Sequence, residues 1–156
     1  MSYVVTGLPP ERFAALFGLS DAELAARGIE RRRVDAPTGF PCRVSLEDAQ
    51  VGETVLLLNY EHQPAPTPFR ASHAIYVNER AHEMRRCVGE LPGALARRTH
   101  ISLRAFDRLD MMLDAEVCAG AELEAAIARL FGRADVAYLH AHAAGMGCYL
   151  ARIDRP

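Results

Sequence analysis

His140 and His142 stand one residue apart in a strand-like run, with Cys148 and Arg152 close behind them. Side chains two apart on a strand point the same way, so Tyr138, His140 and His142 share one face, and Leu139 and Ala141 the other. Two imidazoles and a thiolate make a zinc set when a fourth position stays open for water. The same imidazoles can instead act as general bases or contact an anion. Residues 143–147, AAGMG, connect this strand to the next. As a five-residue loop they predict Cys148 opposite His142 and Arg152 opposite Tyr138.

A second polar group lies mid-chain. Residues 59–63, NYEHQ, end an otherwise apolar strand, and strand ends that feed loops are where binding groups collect. Asn59 and Glu61 share one face, Tyr60 and His62 the other. The next strand begins at FRASH, residues 69–73, which brings His73 toward His62 and offers Arg70 as a planar fork for carboxylate or phosphate. Arg104, in a later strand, adds a further cation. Cys42 beside Arg43 is a thiol next to a cation, a setting that can make a nucleophile. No motif ties it to a histidine, and it reads as a core residue.

The predicted pocket is therefore Glu61, His62, Arg70, His73, Arg104, His140, His142 and Arg152. Guanidinium and imidazole groups favour an anionic ligand, so the leading reading is a small-molecule binding domain. An enzyme using His140 and His142 as general base or metal ligands is the alternative, with Glu61 or Asp114 orienting an imidazole. A structural or partner-binding protein is the third reading, and a homo-oligomer stays open. The chain has no phosphate-binding glycine loop, nucleophile elbow, paired CxxC or metalloprotease helix. No cofactor motif is present. Zinc or another divalent ion, on His140, His142 and Cys148, is the cofactor these residue types allow.

The elements that must position these groups fit one domain, residues 1–156. Half of the residues are hydrophobic and 24% charged, enough for a proper core. All 18 basic residues are arginine against 20 acidic ones, a compositional bias without the basic excess that nucleic acid demands. No stretch approaches the roughly 18 apolar residues of a membrane span, and the start lacks a charged leader followed by an apolar core. The expected location is cytoplasmic, with cysteines 42, 87, 118 and 148 as free thiols.

Val4 and Val5 mark a short strand. Pro9 and Pro10 open a helix that Gly18 ends, and Ser20 with Glu23 forms a capping box for a second helix running to Gly28. Arg31, Arg32 and Arg33 read as a solvated extended face. Residues 53–62 are apolar on both faces at first, as in a central strand. A three-proline loop follows, and then a strand over 72–77. Residues 79–98 read as a surface excursion with a helical turn at 94–98.

Strands 100–106 and 111–118 form a hairpin in which a loop at 108–110 sets Arg104 opposite Asp114 and Ser102 opposite Glu116. A helix over 121–131 carries Leu123, Ile127 and Leu130 on one stripe. Strands 136–142 and 148–153 close the chain. The sum is an α+β fold: a largely antiparallel sheet, bent or partly closed, of seven or eight strands, with two short N-terminal helices and the 121–131 helix against it.

The segments PCRVSLEDA at 41–49, LLLNYEHQP at 56–64, FRASHAI at 69–75, RAFD at 104–107 and GCYLAR at 147–152 closely resemble the domain of unknown function 1203 (DUF1203) family. The resemblance spans nearly the whole chain. It implies a small bacterial single-domain protein and brings no activity, cofactor or catalytic residue with it. In that family the histidine pair runs His-x-His-Asn-Ala, whereas here Ala143 stands where the Asn would be.

Overall fold

The structure is a computed structural model that describes residues 2–156. Its strands divide between two antiparallel sheets, neither of them closed. The larger has six strands, which are β1 (Val4–Thr6), β5 (Arg86–Val88), β6 (Ile101–Phe106), β7 (Met112–Cys118), β8 (Tyr138–Ala143) and β9 (Tyr149–Asp154). They run in the order β5-β1-β9-β8-β6-β7. The smaller is β2 (Glu30–Arg33), β3 (Thr54–Gln63) and β4 (Ala71–Asn78), with β3 central as its two-sided hydrophobicity predicts.

Helix α3, Leu123–Phe131, buries Leu123, Ala126, Ile127, Leu130 and Phe131. They pack on Ile101, Leu103, Ala105, Leu139, Ala141 and Ile153 in the main core. That core covers one face of the large sheet. The other face meets the small sheet, where Leu56, Leu58, Ile75 and Val77 pack with Leu8, Phe13, Val44 and Tyr149. Strand β8 lies between the two layers, and all six of its residues are buried.

Near the N-terminus, Ser20 caps α1 (Asp21–Ala25) in the expected capping box with Glu23. The segment after Pro9 forms two 3₁₀ turns, Pro10–Arg12 and Ala14–Leu16, in place of one helix, with Phe13 between them and buried. Arg31 departs from the expected solvated face, because Glu79, Asp21 and the Leu19 carbonyl hold its guanidinium. Within the 79–98 excursion, α2 (Gly93–Ala96) supplies the helical turn, and β5 pairs with β1. Only Cys87 of β5 is buried, so three residues leave no alternation to read.

Two registers differ from expectation. In the β6–β7 hairpin Arg104 faces Ala115, and Leu103 faces Glu116. That turns Asp114 and Glu116 toward the helix side, where Arg133 and Arg129 pair with them at the exposed sheet edge, so neither carboxylate is buried alone. In the β8–β9 pair His142 faces Tyr149, and His140 faces Arg152. Leu150 is the extra residue of a bulge there, which moves Cys148 out of the row that the loop length alone predicts. Among the described residues, no helix is long and apolar enough to cross a membrane.

Candidate metal centre

His140 is the midpoint of a row running across three strands. Arg104 on β6 and Arg152 on β9 are its direct partners, and direct partners on an antiparallel sheet project to the same side. The next row sets Ser102, His142 and Tyr149 side by side. Because β8 is covered on both faces, His140 and His142 are only 3% and 0% exposed.

His62 arrives from the other sheet. A bulge in β3 lies between Glu61, opposite Ser72, and Gln63, opposite Ala71. His62 is the additional residue, and its ring centroid lies 4.8 Å from that of His142 and 5.9 Å from that of His140. One ring nitrogen from each of His62, His140 and His142 lies within 4.8 Å of the others. A tetrahedral zinc with bonds of about 2.0–2.1 Å holds its ligand nitrogens about 3.3 Å apart, so ring movements of roughly 1 Å gather the three onto one ion.

The hydrogen bonding of the cluster is incomplete in a specific way. Among the described residues, the buried side-chain nitrogens and oxygens without a partner are His62 Nδ1, His140 Nδ1 and His142 Nε2. Buried polar atoms are ordinarily satisfied, and each orphan costs about 1–3 kcal/mol. His142 Nδ1 lies 3.0 Å from the Gly147 carbonyl. A carbonyl only accepts, so Nδ1 carries the proton and Nε2 keeps a free lone pair, the second-sphere arrangement that orients a metal-ligating imidazole.

Burial also holds all three rings neutral. It pushes His62 down to about 4, His142 to about 3 and His140 to about 2, with the nearby Arg104 guanidinium adding to the effect on each. Neutral imidazole is the form that binds metal. Tyr149 walls the cluster, its ring stacked on His62 at 5.3 Å with planes 6° apart and set edge-on to His140 and His142.

The two arginines of the row differ. Arg152 is already engaged: its guanidinium lies 3.8 Å from the centre of the Tyr138 ring and pairs with Asp154. Arg104 has no ion pair among the described residues, and partial burial lowers its pKa. A cleft of about 320 Å³, bordered by Arg12, Tyr60 and Arg152, opens onto His62, His140 and Tyr149.

Of the residues predicted from sequence, His62, Arg104, His140, His142 and Arg152 come together. His73, half-buried opposite Tyr60 on β4, stands beside them, close enough to disfavour protonation of His62 and His142. Glu61 and Arg70 do not join. They pair with each other on the exposed side of the small sheet, as strand alternation requires once His62 points inward. Cys148 is no member of the metal set either, because it lines a different cavity. Ala143, where the family pattern has Asn, packs in the helix-side core, so that departure leaves the histidine face unaltered. Tyr149 is the site residue that sequence reasoning missed, since an aromatic in an apolar strand carries no signal apart from core packing.

A family model described as a protein of unknown function (DUF1203) matches residues 39–155, which include every residue of the cluster. No curated protein and no solved structure matches the chain.

Proposed function

The chain belongs to the DUF1203 family, whose description names no activity, and from its own residues we propose a divalent-metal protein that binds a small anionic molecule at a three-histidine centre. One observation carries this reading: three neutral imidazoles, His140 and His142 buried and His62 half-buried, converge, each with a buried ring nitrogen that has no partner. Three nitrogen donors with a fourth position open is the ligand pattern of reactive zinc sites, whereas structural zinc is enclosed by four protein ligands. His62, His140 and His142 would hold such an ion, which would supply Lewis acidity at the open position.

The protein's own groups define what reaches that position. The Gly147 carbonyl fixes the His142 tautomer, and the Tyr149 ring covers one face of the His62 imidazole. Arg104, without a carboxylate of its own, supports the anionic class of ligand, because a half-buried guanidinium gains most from a partner that brings the opposite charge. Turnover is the second reading. It is favoured by the cleft that leads to the cluster and by His73, the half-buried imidazole beside it.

The test is elemental analysis with native mass spectrometry on the untagged wild type and on a His140→Ala, His142→Ala double variant. The expected result is one ion per wild-type chain and none in the variant. A wild type that stays metal-free after zinc, iron and manganese are supplied overturns the proposal.

A further inference from the structure

Arg43 is 3% exposed, and no carboxylate contacts it. Its Nε donates to the Tyr149 carbonyl at 2.7 Å, and Nη1 donates to the Pro41 carbonyl. Carbonyl dipoles satisfy two donors and leave the charge uncompensated, a costly state for a buried guanidinium. Burial accordingly pulls the Arg43 pKa down to about 10. The surface arginines Arg32, Arg129 and Arg133 each have a carboxylate.

A cavity of about 320 Å³ adjoins this side chain, within the roughly 300–1,000 Å³ range of small-molecule pockets. Arg43, Arg98, Thr99 and His100 supply its polar wall, and Ala143 and Met146 part of its apolar wall. No aspartate or glutamate lines it. Arg98 is also free of ion pairs among the described residues, its Nε being 3.3 Å from the Ala94 carbonyl. Two guanidinium groups, an imidazole and a hydroxyl thus border a space without a compensating acid, in a chain whose net charge is −2. Such a lining attracts an anion, and its apolar side suits a ligand with a carbon body.

We propose that this cavity is a second ligand site, separate from the histidine cluster, for a small organic oxyanion whose carboxylate or phosphate meets Arg43 and Arg98. The inference does not depend on a metal. Its charge argument rests on Arg43, Arg98 and the acid-free lining, none of which belongs to the three-histidine set.

The experiment is calorimetric titration of the full chain, treated with chelator, with benzoate and with phenyl phosphate. Wild type, Arg98→Ala, Thr99→Val, Arg43→Met and His140→Ala are compared. Saturable binding of at least one probe is expected in wild type and in His140→Ala. Loss of a charge-assisted contact, about 1.5–3 kcal/mol, weakens binding roughly tenfold to a hundredfold in Arg98→Ala. Arg43→Met is read only if it folds; the half-buried Arg98 and the exposed Thr99 carry the test otherwise. Absence of saturable binding in wild type overturns the proposal. So does binding that survives Arg98→Ala and Thr99→Val unchanged, and so does binding that disappears in His140→Ala, which would assign the anion to the histidine cluster.

Discussion

His62 and Gln63 are consecutive in the chain, yet both reach the same face of the opposite sheet. Gln63 Nε2 donates to the Tyr138 hydroxyl at 2.7 Å, and the His62 ring stacks on Tyr149. An unbroken strand sends neighbours to opposite sides. The bulge at His62 removes that restriction and makes one short segment of β3 serve two contacts.

His62 should therefore matter to metal binding as much as the His-x-His pair does. His62→Ala is expected to lower metal affinity by at least on the order of a hundredfold, since losing even an outer-sphere partner costs about 10- to 100-fold. Competition with a chromophoric chelator measures it. Cys148→Ala, by contrast, should leave affinity unchanged, and a large loss there would restore the thiol to the ligand set.

Arg104→Met should separate anion binding from metal binding. Metal content stays at the wild-type level, while acetate or inorganic phosphate perturbs the visible spectrum of the cobalt(II)-loaded protein about 10- to 100-fold more weakly, the range for a lost charge-assisted hydrogen bond. Equal anion affinity in wild type and variant would remove Arg104 from the site.

Acid lability should follow the imidazoles. Their folded pKa values lie below the ordinary 6.5, at about 4, 3 and 2, so between about pH 4 and 6.5 the unfolded chain binds more protons than the folded one. Stability of the metal-free protein then falls as pH drops from about 6.5. Each group contributes up to about 1.4 kcal/mol per pH unit while its folded form stays neutral. The carboxylates held low by partners, Glu79 among them, act only below their ordinary value of 4.5. Urea unfolding between pH 4.5 and 7.5 reads the histidine window, and His140→Leu should flatten it. A flat wild-type profile would contradict neutral burial.

Much of this arrangement is legible from local pattern. The alternation in residues 138–142 puts His140 and His142 on one face. The Leu123, Ile127 and Leu130 stripe gives α3, and Ser20 with Glu23 gives the cap of α1. Sheet partnership is different in kind, because it depends on which apolar face covers which. The predicted pocket groups His62 with His140 and His142, but nothing near residue 62 gives the bulge that turns its ring toward them. The bulges are equally silent. Leu150 shifts the β8–β9 register enough to replace Cys148 by Tyr149 beside His142, and no glycine or proline stands at that position. Glu61 and Arg70 stand close in sequence to His62 and His73, but strand alternation turns Glu61 to the far side of the sheet, where Arg70 pairs with it.

Tyr149 has two sides. Its carbonyl oxygen accepts a hydrogen bond from Arg43 Nε at the wall of one cavity, and its ring lies against the imidazoles at the other. The residue is a partition between two chambers. A ligand that displaced the Tyr149 backbone by drawing on Arg43 would alter the stack on His62. Thermodynamic linkage makes such an influence mutual: what one chamber does to the affinity of the other, the other returns by the same factor.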